Sequence, residues 1–349
     1  MKIFSHLKQH LSFLLKPFCF GTLSLLLSSQ IVHAQEGEKW VTYEPENGQA
    51  NGKYIVLVSG DEEYRSEEAL PMLAKILAKH HGFKTTVLFA IDPESGEIDP
   101  EYQTNIPGLE HLQSADLMVL FLRFRELPDE QMKYIDEYMQ SGKPVIGMRT
   151  ATHAFQYKRD TQSPYAKYSY DSKVEGWREG YGRQILGETW VAHHGHHAHE
   201  GTRGLVNGLY EDHPILWGVE DIWGPTDVYT IRDLTEDSQV LLWGQSTKGM
   251  SADAPLSYDK SVMPVAWTKH YTTQSGKTAR VFNTTMGASV DLQSEDLRRM
   301  MVNACFWATE MEDQIPEEAN VDYVGEYDPT MFGFGDHQKG LKPSDFVIQ

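Results

Sequence analysis

The run His193-His194-Gly195-His196-His197-Ala198-His199 concentrates imidazoles in one short segment, followed directly by Glu200-Gly201-Thr202-Arg203-Gly204. Side chains alternate between the faces of an extended strand, so a His-x-His spacing puts two rings on one side. Each ring then offers a nitrogen to one cation, and imidazole with neighbouring carboxylates suits Zn²⁺ or another divalent metal. His193, His194 and His197 are therefore candidate ligands. The same rings serve equally as neutral linings of a polar pocket, or as general acids and bases near neutral pH. No His-Glu-x-x-His pattern accompanies them, so both readings stay open.

Four other polar clusters each follow an apolar run. Asp61-Glu62-Glu63-Tyr64-Arg65 comes after 54–58 and Ser59-Gly60, and Arg123-Phe124-Arg125-Glu126 comes after 117–122. Arg149-Thr150-Ala151-Thr152-His153 comes after 144–148, and Asn283-Thr284-Thr285-Met286-Gly287 closes the run 279–283, with Asp291 beyond. Glu62 is a candidate acid/base, and Arg125 and Arg149 are candidate stabilisers of developing negative charge. His153 is the base nearest in sequence to Thr150, while Tyr64, Asn283 and Thr285 are candidate substrate-binding residues.

Strand runs alternating with helical spacing must position these clusters. Ala69, Met72, Leu73, Ile76 and Leu77 recur with helical period up to Gly82, and helices are also expected over 128–139 and 294–310. Further strands are expected over 85–89, 240–243 and 263–268. Such alternation predicts an α/β fold with an open, mainly parallel sheet flanked by helices. In such sheets ligands bind outside the carboxyl ends of the strands, where the polar clusters fall. Residues 156–187 lack an apolar period and read as an insertion over the sheet.

The first 34 residues carry Lys2, Lys8 and Lys16, no acid, an apolar run from residue 19 to 27 and the ending Val32-His33-Ala34. That is the layout of a secretory signal peptide, and the interrupted run is short of a membrane span. The expected organisation is a signal peptide at 1–34, a polar lead-in at 35–52, a domain at 53–311 and a polar tail at 312–349, with periplasmic or secreted localisation. Cleavage takes the formal charge from −19 to −22. Nucleic acid and anionic membrane are thereby disfavoured as partners. No Gly-x-Gly-x-x-Gly loop is present, so no nucleotide cofactor is expected. Only Cys305 remains after cleavage; its helical spacing with Leu297, Met300, Met301 and Ala308 reads as a buried thiol.

The chain resembles the ThuA-like (trehalose-utilisation) family, whose fold is class I glutamine-amidotransferase-like, related to the flavodoxin-like sheets. The resemblance rests on residues 53–60 (KYIVLVSG), 143–149 (KPVIGMR), 263–268 (MPVAWT), 280–287 (RVFNTTMG) and 298–304 (RRMMVNA). The superfamily carries a nucleophilic Cys on the turn where this sequence has Met148-Arg149-Thr150, so thioester glutamine hydrolysis is not expected. Many relatives have His after the late Gly, where this chain has Ala288. With the signal-peptide layout, the resemblance implies that this exported protein is a carbohydrate-processing enzyme acting on glycosides or 3-keto sugars by acid/base chemistry, with metal assistance left open. A non-catalytic saccharide-binding protein using the same crevice is the alternative. Eight Trp and seventeen Tyr leave ample aromatic surface for sugar faces.

Overall fold

A computed structural model describes residues 39–46 and 48–348, so the expected signal segment lies outside the described residues. Ten strands form one sheet: β1 (Trp40–Tyr43), β2 (Tyr54–Gly60), β3 (Lys84–Leu88), β4 (Leu117–Leu122), β5 (Val145–Met148), β6 (Thr202–Val206), β7 (Trp223–Gly224), β8 (Gln239–Ser246), β9 (Met263–Thr272) and β10 (Thr278–Thr284). Among the described residues three α-helices accompany them: α1 (Ser66–His81), α2 (Asp129–Gln140) and α3 (Glu295–Ala308).

The spatial order is β1-β3-β2-β4-β5-β10-β9-β8-β6-β7. Strands β3, β2, β4, β5 and β10 pair in parallel, and the central β2, β4 and β5 are largely apolar because both of their faces are covered. Along β2, Ile55 and Leu57 enter one core with Leu73 of α1 and Met301 of α3, while Val56 and Val58 enter the other with Met132 and Ile135 of α2. The period of two thus divides one strand between two cores.

The sheet is mixed, which corrects the expectation of a mainly parallel one. Strands β9, β8, β6 and β7 extend it by antiparallel pairing beyond β10. Five residues separate β9 from β10, enough for a hairpin and too few for a crossover helix. The stretch expected as a polar lead-in also carries β1, antiparallel to β3, with Val41 and Tyr43 buried. The 156–187 insertion covers the α2 face, where Tyr168, Tyr181 and Leu186 join its core.

The C-terminal segment packs back onto the domain. Phe346 stacks on Phe89 and its carbonyl accepts from the Tyr43 hydroxyl (2.7 Å), while Val321 and Phe332 are buried. Among the described residues no helix is long and apolar enough to cross a membrane. Cys305 is fully buried in α3, and burial pushes its thiol pKa far up. The folded protein is therefore expected to leave a colourless-to-coloured thiol reagent unreacted until denaturant is added, as a spectrophotometric titration would read.

Candidate functional site

The loops after β2, β4, β5 and β10 lie at the carboxyl edge of the parallel core. From β2 the chain turns toward β3, and from β4 toward β5, so the loops after β2 and β4 flank the point where strand order reverses. Glu62 bridges that point: its carboxylate pairs with Arg125 (2.5 Å) and with Arg123.

Residues 193–200 do not continue as a strand. His194 and Gly195 donate backbone hydrogen bonds to the Val228 carbonyl, and the chain then turns, with the amides of His199 and Glu200 returning to the His196 carbonyl. Gly195 permits the close approach, because a Cβ there would sit 2.7 Å from the Cβ of Asp227. The turn brings His193 and His197 together, with ring centres 4.5 Å apart. Asp227 accepts from Nδ1 of His193 (2.8 Å) and from Nδ1 of His197 (3.2 Å). Nε2 of His197 lies 3.2 Å from Glu63. Nε2 of His193 has no hydrogen-bond partner among the described residues, and this side chain is 34% exposed.

Beneath Asp227 stands Arg149, fully buried and the first residue after β5. It donates through Nη1 to the carbonyls of Asp227 (2.8 Å) and Thr285 (2.7 Å), and through Nη2 to the Tyr64 hydroxyl and Oδ1 of Asp227, both at 3.2 Å. Tyr64 and Tyr229 cover its guanidinium at 4.4 and 3.9 Å. The residue has φ +43°, a left-handed conformation that its many contacts sustain. Asp291 ties this floor together by accepting from the Thr226 hydroxyl (2.6 Å) and amide (3.1 Å) and from the Gly287 amide (2.9 Å).

Charge follows from these contacts. Burial would raise the Asp227 carboxyl, but hydrogen bonds from His193 and His197, with the Arg149 charge, hold it well below the usual carboxylate range. The hydrogen bond to Asp227 raises the His197 pKa against its partial burial. Burial, then the Asp61 charge, raises Glu63. His153 is buried among Phe124, Trp190 and Tyr229, and burial with the nearby Arg123 and Arg149 charges keeps its ring neutral.

Residues 55–308 match the family model for ThuA, trehalose utilisation. The chain belongs to the ThuA family. It is thereby related to carbohydrate utilisation. No curated protein matches it. A ThuA-like protein from Parabacteroides merdae ATCC 43184 superposes with a TM-score of 0.46 at 16% identity, covering 81% of this chain and 97% of its own. One from Bacteroides uniformis ATCC 8492 gives 0.45 at 14% identity, covering 73% and 90%.

Within this ThuA protein the expected site residues divide. His193 and His197 lie side by side at spacing i, i+4 across a turn, where a His-x-His pair on a strand was expected. His194 is corrected: its Nε2 donates to the Ser261 carbonyl (2.8 Å), away from Asp227. Arg125 is fully buried, with its donors spent on Glu62 and the carbonyls of Pro100, Tyr102 and Arg123, so it braces loops and does not face a substrate. Arg149 and Tyr64 are likewise interior supports beneath Asp227. Glu62 is clamped between two guanidiniums, so within this loop it is Glu63 that meets a histidine.

Asn283 and Thr285, expected to bind substrate, lie inside the fold. Both are buried at 0% and 1% exposure, and the Asn283 side chain abuts Gly147 inside the sheet. Thr150 donates to buried Asp61, whose other oxygen accepts from the amides of Glu63 and Tyr64. It therefore has no approach as a nucleophile, and His153 is not its base. Asp227, Glu63, Arg123, Trp190 and Tyr229 were not singled out as individual site residues by sequence reasoning. Glu63 and Arg123 stood in polar clusters already noted, whereas Asp227 lies in Pro225-Thr226-Asp227-Val228 with no motif around it.

Proposed function

We propose that this ThuA protein is an exported carbohydrate-processing enzyme that acts on a glycoside or 3-keto sugar by proton transfer. The observation that carries this reading is Asp227 shared between two imidazoles, with Nε2 of a partly exposed His193 left without a partner. A carboxylate on Nδ1 fixes the ring and its tautomer, so Nε2 is the atom that takes a proton. In a 3-keto sugar the carbonyl acidifies the adjacent C–H, and removal of that proton generates an enolate. Arg123, partly exposed and paired with Glu62 and Glu63, is the cation that would meet such charge. His197 with Glu63 forms a second proton-carrying pair for return of the proton. The strand order of the parallel core favours a flavodoxin-like, class I glutamine-amidotransferase-like description, with the site beside its switch point.

A second reading has its own observation. Donor atoms of His193, His197 and Asp227 lie within 4.8 Å of one another, a set that fits a divalent cation such as Zn²⁺. Both Nδ1 atoms would then be deprotonated, and the ion would polarise a substrate carbonyl. Arg149 at 3.2 Å from the same carboxylate opposes a further positive charge, which favours the proton-transfer reading.

The test is turnover of trehalose and 3-keto glycosides by the purified protein with and without a chelator. His193→Gln is expected to lower turnover by about 100-fold or more, the scale of a lost general base. Chelator is expected to have no effect; activity lost to chelation and restored by Zn²⁺ selects the metal reading. Saccharide binding without turnover of any compound selects a binding protein.

A further inference from the structure

The family match ends at residue 308, yet residues 327–334 return to the site from beyond it. This strap is fastened at several points. The Gly333 amide donates to the Glu63 carbonyl (2.8 Å), and Arg65 donates to the Gly333 carbonyl (2.8 Å) and the Thr330 hydroxyl (3.2 Å). Thr330 also donates from its amide to Glu68 (2.8 Å), and Tyr327 donates to the Ser289 carbonyl (2.7 Å).

So held, the strap adds two aromatic rings to the histidine pair. Phe332 lies 5.5 Å from His197 and 5.4 Å from Tyr64, ring centre to ring centre. The Arg123 guanidinium lies over the Phe334 ring (4.9 Å) and over the Phe124 ring (4.6 Å). From Phe124 the contacts run through His153 (5.0 Å) and Trp190 (5.4 Å) back to His193 (5.9 Å). The circuit is thus closed by the strap. Glu63 joins its two sides, 3.2 Å from His197 and 3.4 Å from Arg123. Phe334 is 57% exposed, so one face meets Arg123 and much of the ring remains open.

We propose that the strap is the saccharide-facing wall of this site and that Phe334 is the platform on which a pyranose ring lays its C–H face. This rests on the saccharide reading above. A flat aromatic ring backed by a guanidinium offers an apolar surface to the sugar, while Arg123 and Glu63 offer hydrogen bonds to its hydroxyls. Phe332, more deeply buried, sets the position of His197 and is a positioning residue. The strap lies outside the region that the family model matches.

The experiment is calorimetric titration of trehalose and its 3-keto form into the full protein and three variants, Phe334→Ala, Phe334→Leu and Phe334→Trp. Loss of one aromatic contact of ordinary strength weakens binding by about fivefold to tenfold. That loss is expected for Phe334→Ala and for Phe334→Leu, which keeps apolar bulk without a flat face, whereas Phe334→Trp retains affinity. Equal affinities in the wild type and Phe334→Ala, or full affinity in Phe334→Leu, overturn the platform and leave the saccharide reading intact. Failure of the wild type to bind either compound overturns both.

Discussion

Asp227→Ala is expected to lower folding stability by about 3–5 kcal/mol, the cost of removing one partner from a buried ion pair, and to abolish turnover. Asp227 and Arg149 are both fully buried, and the carboxylate also fixes two imidazoles. Its removal strands a guanidinium that has only carbonyls and the Tyr64 hydroxyl left to receive its protons. Because the folded-state pKa of Asp227 is depressed, its stabilising contribution is present above the unfolded value of about 4 and is lost as pH falls further. The difference between wild type and Asp227→Ala is thus expected at pH 7 and to shrink in strong acid. Urea unfolding monitored by tryptophan fluorescence measures it. Adding Arg149→Met to Asp227→Ala is expected to cost less than the sum of the single changes, since the stranded charge goes too.

A second large effect lies outside the histidine cluster. Glu67, in the first turn of α1, is 2% exposed, and neither carboxyl oxygen has a hydrogen-bond partner among the described residues. Burial is the main cause that pushes its pKa up to about 8, with the neighbouring Glu68 and Asp61 charges adding to it. The unfolded chain releases this proton near pH 4.3, so the folded state holds the extra proton between that value and about 8. Stability must therefore fall as pH rises through this window and level off above it. The shift corresponds to about 5 kcal/mol on the scale of 1.36 kcal/mol per pH unit. Glu67→Gln keeps the shape and removes the titration. It is expected to match wild type near pH 4 and to be more stable by about 5 kcal/mol at pH 8.5. Parallel stability curves from pH 4 to 8.5 would overturn this account of Glu67.

The parallel half of the sheet was legible because strands buried on both faces must be apolar throughout, as Val56, Leu57 and Val58 are. The antiparallel half was less legible. Strand β7 has only two residues, β6 includes Gly204, and β8 carries a register shift between Val240 and Trp243. Its pairing depends on partners distant in sequence.

The histidines were recognisable by type but not by geometry. A strand reading pairs His at i and i+2, whereas the turn after Gly195 pairs His193 with His197. That turn depends on contact with residues 227 and 228, which no local spacing announces. Arg149 misled for a related reason. An arginine after a strand reads as a cation for substrate, but the rings of Tyr64 and Tyr229 seal it as a support for Asp227. The tail carried a faint signal in Phe332 and Phe334, two aromatic residues within otherwise polar sequence.

The proposed proton abstraction by His193 can be followed without knowing the final product. A 3-keto glycoside incubated with the protein in D₂O should acquire deuterium on the carbon next to its carbonyl, read by mass spectrometry as a one-mass-unit gain. The account predicts exchange well above the buffer rate in the wild type, and its loss in His193→Gln. Exchange at the buffer rate in the wild type, or undiminished exchange in His193→Gln, would contradict it.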